Sequence, residues 1–276
     1  RSDPDRVAHQ AVLRPGYGGL PRGGLNRPSQ LSGPDCVTPP ASPIRLGSID
    51  ELRFSAVLAD LDGVVYRGDE AIPGAVDRLR SWRERGVPYC FVTNNAEKSA
   101  EQFAEKLMRL GVPCTPNEVV TSADIAIAHL EAHYAAGTGV FCVGSASLRE
   151  RVEAHGFELS ADEAKVVLVG LDREFSYDKM AIAVRRVLAG ASLVATNADL
   201  LRPIHGTFEP GAGAILQSIA ASAGVTPRSL GKPSPEIAHV ALARIGARLE
   251  DSILIGDQLG SGLIDPEDED CCEGDR

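Results

Sequence analysis

Residues 54–66 read FSAVLADLDGVVY, an apolar run that ends abruptly at two aspartates, Asp60 and Asp62, followed by Gly63. A short apolar run bounded by turn-forming residues reads as a buried strand. Gly63 supplies the backbone freedom for a sharp exit from it. Two carboxylates two positions apart at a strand end repel each other unless a cation sits between them, and a hard ion such as Mg²⁺ prefers such oxygen ligands. An ordinary solvated Asp/Gly turn has the same local composition, so this stretch alone leaves both readings open.

From Phe54 onward, short apolar runs alternate with amphipathic segments. AVDRLRSWRERG places Val76, Leu79 and Trp82 at helical spacing before Gly86. PYCFVTNN is a strand that runs into a polar loop, and SAEQFAEKLMRLG is a helix with Phe103, Leu107 and Leu110 on one face. TSADIAIAHLEAHYAAG opens with an N-cap at Thr121 or Ser122. A second series follows: VFCVG, SASLRERVEAHG, KVVLVGL, YDKMAIAVRRVLAG, SLVATN and GAGAILQSIAASAG, then the helix SPEIAHVALARIG and the strand DSILIGDQ. This alternation predicts an α/β fold with a Rossmann-like parallel sheet. In such sheets ligands bind beyond the carboxyl ends of the strands.

Three further motifs stand at suitable positions. FVTNN delivers Thr93, Asn94 and Asn95 to a loop whose hydroxyl, amides and backbone N–H groups suit an anionic oxygen. GKPSP sets Lys232 ahead of a helix, where it could hold a point charge over a phosphate. ILIGDQ ends a strand in Gly256 and Asp257, a position for a further metal ligand. Each is commonplace alone, as loop chemistry or a solvated charge.

Composition narrows the classes. The 276 residues carry a formal net charge of −10 and are 43% hydrophobic, which supports genuine cores and speaks against nucleic acid or an anionic membrane as partner. No run approaches the roughly 18 apolar residues that span a bilayer, and the start lacks a signal-peptide core. The six cysteines have no metal-ligand spacing, so a soluble protein in the reducing cytoplasm is expected.

Taken in order, DxDG, TNN, GKPSP and GD resemble the haloacid dehalogenase superfamily, in its NagD-like branch of 4-nitrophenylphosphatase and phosphoglycolate phosphatase-type enzymes. The resemblance covers roughly residues 50–261, including ATNADLLRPIHGTFEPGAGAIL, which is similar to that branch's cap-to-core segment. It implies a Mg²⁺-dependent phosphomonoester hydrolase acting on a small phosphorylated metabolite through an aspartyl-phosphate, with Asp60 as nucleophile and Asp62 as acid/base. Asp60, Asp62 through its backbone carbonyl, and Asp257 would hold Mg²⁺, while Thr93, Asn94 and Lys232 would bind the phosphoryl oxygens. A large α/β cap inserted in the core would select the substrate, with Arg202 and His205 facing its non-phosphate end, and a homo-oligomer through the cap is compatible with the branch.

The domain expectation is a Gly/Pro/Arg-rich disordered leader over 1–48, a first core segment over 49–135, a cap over 136–226, a second and incomplete core segment over 227–264, and an acidic unstructured tail over 265–276. The sequence departs from the family after Asp257: Gly262 stands where a further Asp is usual, and LIDPEDEDCCEGDR lacks the apolar pattern of the remaining core elements. The C-terminal elements of the core are therefore expected to be missing. This keeps a second function in view, a truncated and catalytically impaired phosphate-binding remnant.

Overall fold

The computed structural model describes residues 9–12, 53–204 and 207–257. Expectations for His205, Gly262, Cys36, Cys271, Cys272, the tail and most of the leader lie outside the described residues.

Among the described residues, β1 (His9–Val12) and β2 (Ala56–Ala59) come first, followed by a small hairpin of β3 (Tyr66–Arg67) and β4 (Glu70–Ala71). It continues through α1 (Ala75–Glu84), β5 (Tyr89–Thr93), α2 (Ala100–Arg109), β6 (Val119–Thr121) and α3 (Ser122–His133). The second series is β7 (Gly139–Val143), α4 (Ala146–Ala154), β8 (Glu158–Leu159), β9 (Val166–Val169), α5 (Tyr177–Leu188) and β10 (Ser192–Ala195). A hairpin of β11 (Leu201–Ile204) and β12 (Thr207–Pro210) leads to α6 (Ala212–Ala223), β13 (Arg228–Ser229), α7 (Glu236–Ile245) and β14 (Ser252–Gly256).

Two parallel sheets result, ordered β1-β14-β2-β5-β6 and β13-β10-β9-β7-β8. The first is the core and the second the cap, which confirms the α/β core with an inserted α/β cap. Two boundaries differ from the sequence reading. The cap sheet extends to β13, beyond residue 226, because two residues without alternation carry no strand signal. Residues 9–12 of the expected disordered leader form a strand whose backbone pairs with β14. A sheet edge offers unpaired N–H and C=O groups to any extended segment, a long-range opportunity that composition does not reveal.

Local rules explain the helices. α2 starts at a capping box, with the Ser99 side chain accepting from the Gln102 N–H and Gln102 returning the bond. α3 starts the same way at Thr121, paired reciprocally with Asp124. α3 buries Ser122, Ala123, Ile125, Ala126, Ile127 and Leu130 and leaves Glu131 and His133 exposed, so a broad apolar face is covered. Its Ile125, Ile127 and Leu130 belong to one hydrophobic cluster that includes Leu58 and Val92 of the core strands together with Val140, Leu148 and Leu168 of the cap. Core and cap thus share a continuous apolar interior through α3.

Candidate active site

Because β2, β5 and β14 are parallel neighbours, they deliver Asp60, the loop after Thr93, and Asp257 to the same edge of the sheet. The Asp60 N–H continues the ladder onto the Ile255 carbonyl at 2.8 Å, and its Oδ1 accepts from the Leu61 N–H at 2.8 Å. Asp60 Oδ2 is ion-paired with Lys232 Nζ, whose side chain is only 4% exposed. A lysine this deeply enclosed is held there by its partner.

Gly63, at φ +79, answers a closer constraint than the turn alone: a Cβ there would lie 2.2 Å from Asp257 Oδ2. The glycine therefore lets the Asp257 carboxylate come against the loop that carries Asp60 and Asp62. Burial, and next the charge of Asp60, raise the Asp257 pKa above its ordinary value. Asp62 is raised as well, by burial first, with Lys106 opposing and Asp60 adding to the rise. Mutually repelling carboxylates on adjoining loops are the donor chemistry that a hard divalent cation requires. Among the described residues no three His, Cys, Asp or Glu side chains form a closed ligand set. Two carboxylates, of Asp60 and Asp257, with the Asp62 carbonyl, could supply oxygen donors to such an ion.

Thr93 is buried, and its Oγ1 accepts from the Asn95 N–H at 3.2 Å, which leaves the hydroxyl proton for another acceptor. Asn94 departs from expectation. Its Nδ2 donates to Asp199 Oδ2 at 3.0 Å and to the Lys232 carbonyl at 3.0 Å, and its Oδ1 accepts from the Lys232 N–H at 2.8 Å. Both amide hydrogens are committed, so the side chain has no donor left for phosphate. It acts as a clasp that fixes the Lys232 loop. The Asn94 carbonyl in turn accepts from Ser122 Oγ at 2.7 Å and from Asn197 Nδ2 at 2.8 Å.

Sequence reasoning missed Ser122, Asn197 and Asp199, although the last two lie within the quoted cap-to-core segment. Their role depends on contacts more than 100 positions apart for Asn197 and Asp199, for which one sequence holds no local signal. Gly211 and Gly213 belong to the same arrangement, since a Cβ at either would come within 2.1 Å of the Asp199 or Ala198 carbonyl.

Arg202 also differs from expectation. Its Nη1 is 2.8 Å from Glu97 Oε2 and its Nε is 3.9 Å from Glu209 Oε2, while Arg173 meets both carboxylates at 3.2 and 3.4 Å. The guanidinium thus joins cap to core instead of standing open to a substrate.

The comparisons with known proteins agree with this geometry. The haloacid dehalogenase-like hydrolase family matches residues 57–158. An acid sugar phosphatase of Staphylococcus aureus is 36% identical over 213 residues, covering 77% of this chain and 82% of that protein. A 5′-nucleotidase of Bacillus subtilis is 31% identical over 76% of this chain and 82% of its own length. Among solved structures, a glycerol phosphate phosphatase of Mycobacterium tuberculosis in complex with magnesium has a TM-score of 0.68 at 34% identity, covering 75% of this chain and 63% of that one. A 4-nitrophenylphosphatase of Thermotoga maritima has a TM-score of 0.71 at 27% identity, covering 80% and 91%. The chain belongs to the haloacid dehalogenase-like hydrolases, in the NagD-like branch. It is a phosphatase of that family, with activity toward small phosphorylated substrates.

Proposed function

We propose that the chain is a Mg²⁺-dependent phosphomonoesterase that passes the phosphoryl group through Asp60. The observation that carries this reading is the convergence of Asp60, Lys232, Asp62 and Asp257 at one sheet edge, with Lys232 ion-paired to Asp60.

An Asp60 carboxylate oxygen attacks phosphorus in line, forming an aspartyl-phosphate while the ester P–O bond breaks. Asp62 gives its proton to the departing alkoxide and then takes one from the water that cleaves the aspartyl-phosphate. Its raised pKa suits the first of these tasks, because the proton stays on the carboxyl closer to neutral pH. Lys232, the Thr93 hydroxyl and the N–H groups of the loop after β5 hold the phosphoryl oxygens and the charge they share in the transition state. Asp60, Asp257 and the Asp62 carbonyl would hold Mg²⁺, whose charge offsets the repulsion between an anionic nucleophile and an anionic substrate.

The substrate class is a small phosphorylated metabolite. Similar proteins bear names that refer to nucleotides, sugar phosphates and glycerol phosphate, all small polar esters. The reducing cytoplasm suits Cys90, Cys114 and Cys142, which are buried as free thiols and pushed up to about 12 by burial. No helix among the described residues is long and apolar enough to cross a membrane. The alternative of a phosphate-binding remnant draws on residues outside the described ones, whereas the assembled carboxylates and lysine favour catalysis.

Hydrolysis of 4-nitrophenyl phosphate with and without Mg²⁺ tests the proposal, using Asp60→Asn as the comparison. The expected result is metal-dependent release of nitrophenol that the substitution abolishes. Equal rates in the two proteins would remove Asp60 from its role.

A further inference from the structure

The hairpin of β3 and β4 directly follows the Asp60–Gly63 loop and carries the catalytic acid at its base. Asp62 forms a β-bridge with Tyr66, and the Gly63 N–H donates to the Tyr66 carbonyl at 2.9 Å. With only two residues in each strand, the hairpin is too short to hold its own geometry in water. It needs an external anchor if Asp62 is to stay aimed at the leaving group.

Lys106 of α2 provides one. Its side chain is 13% exposed, and Nζ lies 3.6 Å from the centroid of the fully buried Tyr66 ring. The same nitrogen donates to the Gly68 carbonyl at the hairpin tip at 2.7 Å, with the exposed Asp69 carboxylate 3.8 Å away. One ammonium thus fastens the tip by a charge-assisted hydrogen bond and the root through a cation–π contact. α2 is itself fixed at its start by the Ser99/Gln102 box and through its buried face by Phe103 and Leu107.

We propose that Lys106 is a positioning residue for leaving-group protonation: by pinning the β3–β4 hairpin to α2, it holds Asp62 where it can protonate the departing oxygen. The inference rests on the phosphomonoesterase reading above and adds to it a residue far from Asp62 in sequence and outside the groups assigned there to phosphate and metal.

Leaving-group chemistry gives a readout that a merely structural role would not move. An alkoxide needs a proton as it departs, whereas 4-nitrophenolate is stable enough to leave without one. The parameter to compare is kcat/KM, which contains phosphoryl transfer to Asp60 and omits the later hydrolysis in which Asp62 acts as base. Lys106→Met keeps the aliphatic stem against Tyr66 but removes the ammonium, and Lys106→Arg keeps a cation and donors.

Each protein is assayed with Mg²⁺ on glycerol phosphate and on 4-nitrophenyl phosphate, at the pH plateau of each variant so that a shifted titration does not enter. The expected result for Lys106→Met is a loss of about tenfold or more in kcat/KM on glycerol phosphate, with less than about threefold on 4-nitrophenyl phosphate, and recovery of the ratio in Lys106→Arg. An equal loss on both substrates, or no loss on either, would overturn the proposal. Failure of the wild-type chain to hydrolyse either ester would overturn the phosphomonoesterase reading instead, which keeps the two failures apart.

Discussion

A methyl group at Gly231 would sit 2.5 Å from both Asn94 Oδ1 and the Thr196 carbonyl, so this glycine is what lets the lysine loop close onto the Asn94 clasp. Gly231→Ala forces the clasp open, and crowding of this kind costs about 1–3 kcal/mol. Urea unfolding should show a loss of that order, with kcat/KM falling because Lys232 is displaced from Asp60; unchanged stability and activity would refute the clasp. Asp257 makes a prediction of opposite sign. Its folded pKa lies above the ordinary 3.8, so the folded state binds the extra proton, and stability present below that value is lost as pH rises through the raised one. In metal-free buffer Asp257→Asn should therefore melt higher than wild type at neutral pH, and the gain should vanish as the pH falls toward 3.8. With Mg²⁺ the order should reverse, since the substitution removes a proposed ligand; a variant destabilised equally at every pH without metal would contradict the account of Asp257 as raised by burial and by the Asp60 charge. The residues at the strand ends were legible because Asp, Thr, Lys and Gly there are chemically conspicuous. The clasp partners Ser122, Asn197 and Asp199 were not, because each looks like ordinary loop or cap chemistry until the fold brings it to Asn94.

α3 illustrates the same division at the level of elements. Its N-cap could be read to within one residue, as Thr121 or Ser122, and the structure has it at Thr121, whose side chain accepts from the Asp124 N–H. The helix's place between two sheets could not be read, because it depends on packing against strands far along the chain. Leu130 is fully buried in the cluster shared by core and cap, and Leu130→Ala should cost about 2–5 kcal/mol, measured by denaturant midpoint at constant slope. A smaller loss, within about 0.5 kcal/mol, would be the surface-substitution value and would show that α3 does not bridge the sheets. The hairpins β3–β4 and β11–β12, and the edge strands β8 and β13, left no periodic trace in the sequence. Strands of two to four residues are too short for alternation to exceed chance. Register and pairing supplied them, and the contact of Arg202 with Glu209 follows from the β11–β12 register, while Glu97 of the core and Arg173 of the cap complete the ion network from loops. This is why a reading of Arg202 as a substrate contact could not anticipate its carboxylate partners.

At the scale of the whole molecule, the shared interior implies that cap and core unfold together. Scanning calorimetry should show one transition with matching calorimetric and van't Hoff enthalpies, and two resolved transitions would mean that the cluster through α3 does not couple the domains. The protein's net charge of −10 makes the enclosed Lys232, and a cation on the carboxylates proposed to hold Mg²⁺, the local answer to an anionic substrate in an unfavourable overall field. The α/β fold class was visible in the sequence because helical and strand runs alternate through the central strands of both sheets, and the inserted cap was legible through the family resemblance, while the strand at His9–Val12 was not, its partner β14 lying more than 200 residues further on. The most direct test of the central claim is rapid acid quench of the enzyme during turnover with Mg²⁺ and 4-nitrophenyl phosphate, followed by mass mapping of the phosphorylated peptide. The account predicts an acyl phosphate on Asp60 that is absent from Asp60→Asn. Phosphate on a different residue, or turnover by Asp60→Asn at the wild-type rate, would contradict it.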